Sequence, residues 1–162
     1  MTRENTKVKK GFTIIEVVLV LAIAGLIFLM VFVALPALQR SQRDTQRRDD
    51  YAALSTAVTT YMTNNNGSLP VNGNNCTANF TATQINSAGT DPNGQTYDLR
   101  CTATITTATG AVTGPMTNGA RPIVYVIRNA RCNNGVPAAG TGNRSFAIYG
   151  QLEGGTYCQS ST

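Results

Sequence analysis

An uninterrupted apolar run near the N-terminus is the dominant pattern of the chain. From Val17 to Leu38 no residue carries a charge. These 22 residues, at a helical rise of about 1.5 Å each, span roughly 33 Å, which is enough to cross the hydrocarbon of a bilayer. Helices in the cores of soluble proteins are rarely so uniform. The run therefore predicts a transmembrane helix.

Beyond Leu38 the pattern becomes amphipathic without a stop signal, and no Gly or Pro interrupts it before Gly67. Four apolar positions there recur at three- and four-residue steps, which places them on one stripe of a helix. We therefore expect one helix from about Thr13 to Met62, ended by the Asn-rich run before Gly67. Pro36 is expected to kink or locally open this helix, because proline removes a helical hydrogen bond. The stripe consists of Tyr51, Leu54, Val58 and Tyr61.

The C-terminal part of the chain alternates as β-strands do. After a polar, turn-rich stretch from Ser68 to Gln95, which we interpret as a loop, alternation of apolar and polar residues runs from Tyr97 to Ile105. Two further strands are predicted at Ile123–Arg128 and Ser145–Leu152. Short connections favour an antiparallel meander, whose apolar face the helix stripe would cover. The predicted fold class is α+β: a long N-terminal helix packed on a small antiparallel β-meander.

Four cysteines follow the apolar run, and none of them forms a Cys-x-x-Cys pair. Because His is also absent, zinc binding and thioredoxin-type chemistry are not indicated. An even number of cysteines in an exported domain with a small core predicts two disulfides, with three connectivities open and reduced, buried thiols as the alternative. Hairpin-like spacing favours Cys76 with Cys101 and Cys132 with Cys158.

The charge of +5 and the pI of 9.3 arise mostly from the N-terminus, since residues 1–11 carry four Lys or Arg and one Glu. An excess of Lys and Arg keeps its side of a membrane helix in the cytoplasm, so the C-terminal part is expected outside. Without His, and with few carboxylates beyond the helix (Asp91, Asp98 and Glu153), the sequence predicts no enzyme, no metal site and no cofactor.

The segment Lys9-Lys10-Gly11-Phe12-Thr13-Ile14-Ile15-Glu16 resembles the processing site of type IV pilins and the related pseudopilins. The resemblance implies that a membrane aspartic prepilin peptidase cuts between Gly11 and Phe12 and methylates the new Phe12 amine. It implies assembly roles for Glu16, Gly25 and Pro36, although the family proline usually stands three residues earlier, where this chain has Val33. The Cys132–Cys158 loop would resemble the C-terminal disulfide loop of many pilins.

Glu16 is energetically unfavourable at this position in a membrane helix. A carboxylate at the centre of a membrane helix costs on the order of 2.5 to 3.5 kcal/mol on insertion scales, so it is retained where it finds a partner or reaches an interface. In the family, pairing with the free α-amine of a neighbouring copy is proposed to set subunit register. The alternative is that Glu16 only reaches headgroup water.

The expected organisation follows from these features. Residues 1–11 form a cleaved leader, 12–38 a transmembrane and filament-core helix, 39–63 its amphipathic half, and 64–162 an extracellular globular domain. The mixed-charge segment from Arg40 to Asp50 is most simply a solvated face above the membrane; its alternative role is to match a neighbouring copy.

We expect a structural subunit of a type IV pilus filament that supports adhesion, twitching motility or DNA uptake. Its partners would be copies of itself in a helical filament, prepilin peptidase, the pilus assembly machinery and inner-membrane lipid before assembly. The precursor would lie in the cytoplasmic membrane and the assembled filament outside the cell. A minor pilin or type II secretion pseudopilin is the near alternative.

A membrane-anchored binding protein for a host surface, a sugar or DNA is the further alternative. Five arginines are available for phosphate contacts, although ordinary surface solvation also explains them. They are Arg100, Arg121, Arg128, Arg131 and Arg144.

Overall fold

The computed structural model describes residues 11–73, 75–78, 80, 89–102, 117–119, 121–140 and 142–161. The chain divides into two compact units, Met1–Gln39 and Arg40–Thr162. We call them the N-terminal unit and the C-terminal unit.

One long helix, α1, spans Ile14–Asn64 and is continuous through Pro36. The helix is therefore not interrupted at this proline, and a kink there stays a prediction. The end of α1 matches the sequence expectation, because Asn66 and Gly67 adopt positive φ angles of 53° and 79°. The Gly67 N–H donates to the Met62 carbonyl at 2.7 Å, the six-to-one bond of a Schellman cap.

Nine strands follow α1 in the described part of the C-terminal unit. The main sheet has the order β3-β5-β8-β9, and β4 pairs with the start of β5. Two small hairpins, β1–β2 and β6–β7, accompany it. The strands are β1 Val71–Asn72, β2 Asn75–Cys76, β3 Asp98–Thr102, β4 Thr117–Asn118, β5 Arg121–Arg128, β6 Ala130–Asn133, β7 Val136–Ala139, β8 Phe146–Leu152 and β9 Gly155–Ser160.

The α+β class is confirmed, with the helix packed on antiparallel strands and two disulfides. The pairs β5–β8 and β8–β9 are antiparallel as expected. One pair differs from a simple meander, because β3 lies parallel to β5, with Cys101 opposite Val126. Residues 103–120 connect them, and a connection of a dozen or more residues is long enough for a crossover. The predicted continuation of β3 to Ile105 lies outside the described residues.

Six of the described strands, β1, β2, β4, β6, β7 and β9, were not predicted. The stretch interpreted as a loop contains β1 and β2, while β6 and β7 flank the Asn134-Gly135 turn and β9 follows the Glu153-Gly154 turn. Asn134 and Gly135 connect β6 to β7 with φ angles of 50° and 78°, the left-handed pair that two-residue hairpins require.

The main sheet is buried on both faces. On one face, Val124 and Val126 of β5 pack with Tyr51, Leu54 and Val58 of α1, which is the predicted helix stripe. On the other face, Ile123, Tyr125 and Ile127 pack with Ala130 and Cys132 of β6. Burial on both faces explains why β5 is a continuous apolar run rather than an alternating one.

Two disulfides join separate elements of the C-terminal unit. Cys76 of β2 is bonded to Cys101 of β3, and Cys132 of β6 to Cys158 of β9. These are the pairs that the spacing favoured. Because no described cysteine is free, the interpretation as reduced thiols is wrong.

Candidate functional site

The first turn of α1 brings two residues of the predicted processing segment, Thr13 and Glu16, together. Because α1 begins at Ile14, Thr13 is its N-cap residue and Glu16 its third helical residue. The Thr13 backbone N–H and hydroxyl donate to Glu16 Oε2 at 3.3 and 3.2 Å. The Val17 N–H in turn donates to the Thr13 carbonyl at 3.4 Å. This arrangement corresponds to one half of a capping box, in which the Glu side chain satisfies the N-cap donor.

The surface of α1 beyond this turn is apolar and open. An 18-residue window of the helix has a mean hydropathy of 3.2, and none of the window is buried. The large hydrophobic side chains that the structure describes as exposed lie between Phe12 and Leu38, and Phe12 itself is 88% exposed. By length and composition α1 is able to cross a membrane. None of the residues that the structure describes covers this surface.

Two further residues named by the resemblance lie on this surface. Gly25 is exposed, and a Cβ atom built on it meets no atom within 4 Å. Pro36 lies inside α1, near the end of the apolar part. The structure places Thr13 and Glu16 in contact, whereas Gly25 and Pro36 lie further along the helix and make no contact with them.

The charged segment from Arg40 to Asp50 is not simply a solvated face, because several of its members hold α1 to the rest of the C-terminal unit. The Arg47 Nε–H donates to Asp91 Oδ1 at 2.6 Å, and the two residues are only 6% and 3% exposed. Arg43 forms an ion pair with Glu153 at the β8–β9 turn, where its Nη2–H donates to Oε2 at 2.9 Å.

Burial and ion pairing shift several pKa values in this segment. The pKa of the Glu153 carboxyl is lowered by its hydrogen bond with Arg43. The pKa of Asp50 is raised by burial, which outweighs the lowering effect of the Tyr97 hydroxyl that donates to it at 2.7 Å. Burial also raises the pKa of Tyr51 and Tyr97. Both phenols are therefore neutral hydrogen-bond donors at physiological pH.

The roles of Arg47 and Asp91 were missed in the sequence because the two residues are 44 positions apart. One signal was present: Asp91 opens the sequence Asp-Pro-Asn-Gly, which is typical of a turn. In the structure its carboxylate accepts the Asn93 N–H at 3.1 Å, and its backbone N–H donates to Gln95. The sequence thus indicated the turn, but not the charge that the turn presents to α1.

Comparison with known proteins supplies one match. Residues 6–32 match the family model described as the prokaryotic N-terminal methylation motif. No curated protein and no solved structure shows a significant match to the chain.

The methylation motif is the class III prepilin signal of type IV pilins and pseudopilins, so the resemblance seen in the sequence is confirmed. The chain joins this signal to a type IV pilin-like architecture of one long apolar helix, antiparallel strands and two disulfides. The signal implies cleavage by prepilin peptidase and pilus assembly, and it points to a structural subunit rather than an enzyme. With the apolar helix, it supports a membrane-anchored precursor that is assembled into extracellular pili.

Proposed function

We propose that the chain is a structural subunit of a type IV pilus filament, in which copies of the apolar half of α1 form the filament core. The observation that carries the proposal is the coincidence of the methylation motif at residues 6–32 with a helix whose apolar surface is uncovered. Residues 1–11 are then a leader removed at the Gly11–Phe12 bond. The precursor lies in the cytoplasmic membrane with its C-terminal unit outside.

Burial of apolar surface favours bundling of these helices outside the membrane. Each square ångström of apolar surface removed from water contributes roughly 25 cal/mol, so a helix that leaves lipid must be covered by other copies. Gly25 lacks a side chain and lies on the open surface, and small residues allow helices to approach closely. We assign Gly25 to a helix–helix contact in the core.

Glu16 changes partner in this proposal. In the single chain its carboxylate accepts hydrogen bonds from Thr13. After the cut, Phe12 carries a free α-amine, and the Glu16 of a neighbouring copy pairs with it in the low-dielectric core. An ion pair in such surroundings is much stronger than in water, which aligns each arriving subunit. The capping contact keeps the carboxylate hydrogen-bonded until that partner is present.

The composition of the chain offers a direct test of processing. All lysines of the chain, Lys7, Lys9 and Lys10, precede Phe12. The processed chain therefore has a single primary or methylated amine, at Phe12. Intact-mass measurement is expected to show a chain that begins at N-methyl-Phe12, and an amine-reactive label is expected to modify this position alone. A chain that retains Met1 through Gly11 in cells, without surface filaments, would refute the proposal and favour a solitary membrane anchor.

Two variants of Glu16 separate pairing from capping. Glu16→Gln keeps a side-chain oxygen for Thr13 but removes the charge, whereas Glu16→Ala removes both. If charge pairing drives assembly, both variants are exported and cut yet yield few filaments, as counted by electron microscopy. Normal filament numbers from Glu16→Gln would show that pairing is not required. Thr13→Ala, which weakens the cap and keeps the charge, is the matched control and should still assemble.

A further inference from the structure

Strand β9 forms an open edge of the main sheet. It is the last strand in the order β3-β5-β8-β9, and its six residues pair with β8 in an unbroken antiparallel register. The Ser161 N–H donates to the Phe146 carbonyl at 2.9 Å, so Ser161 and every second residue before it turn their backbone groups toward β8. The backbone groups of Thr156, Cys158 and Ser160 therefore point away from the sheet.

The outer side of β9 is neither paired nor protected. Among the residues that the structure describes, no strand or turn forms a backbone hydrogen bond with this side. The opposite edge differs, because β3 is tied to β2 by the Cys76–Cys101 disulfide. Natural sheets usually protect an exposed edge with a charge, a proline or a bulge. The sequence Gly-Thr-Tyr-Cys-Gln-Ser of β9 contains no charge and no proline, and its register with β8 has no bulge. The edge is therefore open to a further strand.

A groove of about 540 Å³ accompanies this edge on the side of α1. In strand addition, backbone hydrogen bonds at an open edge supply affinity, and pockets for alternate side chains supply specificity. The groove offers such a pocket to side chains of an added strand that point toward α1. The side-chain oxygen of Gln159 in its wall is buried without a hydrogen-bond partner in the described structure, which favours a ligand with a hydrogen-bond donor. Other residues of the wall are Ser55, Thr59 and Met62 of α1, Phe146 of β8, and Ser161.

Two exposed arginines flank the edge on the same side. The Arg48 Cζ atom lies 5.7 Å from the centre of the Tyr157 ring. Arg144 lies against Gly67 at the end of α1 and lines the groove together with Ser161. In the described structure neither arginine has a carboxylate within ion-pair distance. Tyr157 and Ser161 share one face of the strand and lie four residues, or about 14 Å, apart. An added strand therefore meets the two guanidinium groups with side chains four positions apart.

Charge complementarity favours an acidic partner over a second copy of the chain. The β9 strand of a copy would present only uncharged side chains to the two arginines. Asp49 is exposed but lies within α1, so it is not available in an extended segment. An extended segment with two acidic side chains supplies the missing carboxylates, which form strong hydrogen bonds with guanidinium groups. The other carboxylates beyond residue 40 already accept hydrogen bonds within the chain: Asp44, Asp50, Asp91, Asp98 and Glu153.

We propose that β9 binds an extended acidic segment of another protein by strand addition. The N–H and C=O groups of Thr156, Cys158 and Ser160 form the new backbone hydrogen bonds. Arg48 and Arg144 bind acidic side chains four positions apart, and they fix the register, because a shift by one residue moves both acids to the other face. This inference goes beyond the proposed filament role, since it concerns a partner of the C-terminal unit and depends on that unit alone.

The first test is fluorescence anisotropy of a peptide titrated with the full chain in a neutral detergent. The peptide Ser-Glu-Val-Thr-Val-Glu-Ser carries a fluorophore at its N-terminus and an amide at its C-terminus, so its only carboxylates are those of Glu. Its sequence reads the same in both directions and thus suits parallel and antiparallel addition alike. A matched peptide has Gln in place of both Glu.

Two variants of the chain accompany these peptides. Arg48→Gln/Arg144→Gln removes the proposed contacts. Arg40→Gln/Arg131→Gln is the matched control, because it removes the same charge from arginines that also lack a carboxylate partner in the described structure. Arg131 lies on the side of β6 away from the sheet. Any leader that is retained contributes equally to all samples, and near-UV circular dichroism verifies folding of each variant.

We expect the unaltered chain to bind the Glu peptide about tenfold more tightly than the Gln peptide, the combined effect of two exposed ion pairs. Arg48→Gln/Arg144→Gln should abolish this preference, and Arg40→Gln/Arg131→Gln should keep it. Equal loss of the preference in both variants would overturn the proposal, because binding would then follow net charge alone. Failure of the unaltered chain to bind the Glu peptide, or equal affinity for both peptides, would overturn it too.

Hydrogen exchange measured by NMR locates the bound peptide without any variant. The amide hydrogens of Thr156, Cys158 and Ser160 should exchange on the order of tenfold more slowly with saturating Glu peptide, whereas those of Tyr157 and Gln159, already bonded to β8, should be slow in both states. Unchanged exchange at the three outer amides would overturn the proposal even if the peptide binds. Protection of these amides that needs no peptide and rises with chain concentration would assign the edge to a second copy and overturn it as well. None of these results bears on processing or filament formation, which are measured separately.

Discussion

The phenol ring of Tyr51 lies directly on the backbone of Gly150, so that a Cβ atom built on this glycine stands 2.5 Å from the Tyr51 Cζ atom. The Tyr51 hydroxyl donates to the Gln151 carbonyl at 2.9 Å. The same ring stacks on Tyr157 and meets Tyr97 edge-on, each with centroids 6.0 Å apart. Tyr51 therefore fixes the distance between α1 and the sheet, and Gly150 provides the space for it.

Gly150→Ala is expected to destabilise the C-terminal unit. The added methyl group requires the ring to move away from β8, which lengthens the Tyr51–Gln151 hydrogen bond. Overpacking of this kind costs about 1 to 3 kcal/mol of unfolding free energy. Thermal unfolding of the intact chain in detergent, followed by the near-UV circular dichroism of its tyrosines, measures this. Gly142→Ala is the control, because a Cβ atom there meets nothing within 4 Å. Equal melting temperatures for the two variants would contradict the packing argument.

The buried pair of Arg47 and Asp91 is expected to show strong coupling. Removing Arg47 leaves the buried Asp91 without its cation, and breaking a buried pair in this way typically costs about 3 to 5 kcal/mol. Arg47→Met should approach this loss. Asp91→Asn should lose less, because Asp44 and Glu153 lie 3.7 and 3.9 Å from Arg47. The double variant should lose clearly less than the sum of the two. Denaturant unfolding of the four proteins in the cycle measures the coupling.

The comparison for this cycle is Arg43→Gln, which breaks the ion pair between α1 and Glu153 of the β8–β9 turn. It leaves in place Glu153, which also lies 3.9 Å from Arg47. The side chains of Arg43 and Glu153 are 33% and 23% exposed, against 8% and 1% for Arg47 and Asp91. Water screens the more exposed pair, so its removal should be far milder. Additive losses in the Arg47–Asp91 cycle would show that the two residues act independently.

Local patterns and the N-terminal motif predicted much of this fold. The helix, its Asn-Gly end and its apolar stripe depend on neighbouring residues, and the continuous run of β5 is visible in the sequence. The parallel pairing of β3 with β5 was not predictable, because no local pattern encodes the relative direction of two strands that are separated in sequence by residues 103–120. The ion pairs of Arg43 and Arg47 join residues 110 and 44 positions apart, and no local pattern encodes such contacts.

The candidate site was predictable to a similar degree. The motif around Gly11, Phe12 and Glu16 is contiguous, so it could be identified from the amino-acid sequence alone. The capping contact between Thr13 and Glu16 also matches a recognisable Thr-x-x-Glu spacing. Which arginines are engaged within the chain was not predictable, since the contacts of Arg121 with the carbonyls of Thr96 and Tyr97 form only in the fold.

The two disulfides are expected to differ in their resistance to reduction. Their sequence separations of 25 and 26 residues predict nearly equal contributions of about 3.5 kcal/mol in the chain-entropy model, so loop length does not distinguish them. Burial distinguishes the two disulfides, because Cys101 is fully buried whereas Cys132 and Cys158 are both half-buried. A mild reductant should open Cys132–Cys158 first. Alkylation of the released thiols followed by peptide mass analysis gives the order. Simultaneous loss of both bonds would contradict the role of burial.

Asp50 is expected to make the unfolding free energy fall as pH rises, which is the opposite of the usual contribution of a carboxyl group. Because burial raises its pKa in the folded chain above the ordinary value of 3.8, the folded state holds the proton more tightly than the unfolded state. The stability gained from protonated Asp50 is therefore complete below about pH 4 and is lost as pH rises through the folded pKa. Asp50→Asn stays neutral and keeps an oxygen for the Tyr97 hydroxyl. Its unfolding free energy relative to the unaltered chain should thus increase between pH 3 and pH 7.

Tyr97→Phe is expected to have the opposite effect, that is, to strengthen the pH dependence of stability that Asp50 causes. The Tyr97 hydroxyl donates to Asp50 and lowers its pKa, so removing this donor raises the pKa of Asp50 further. Stability of Tyr97→Phe should consequently fall more steeply over the same pH range. Urea unfolding of the three proteins at several pH values measures both differences. The lowered pKa of Glu153 acts in the opposite direction, but it is common to all three proteins and cancels in the comparison. Parallel pH profiles would show that Asp50 does not carry this dependence.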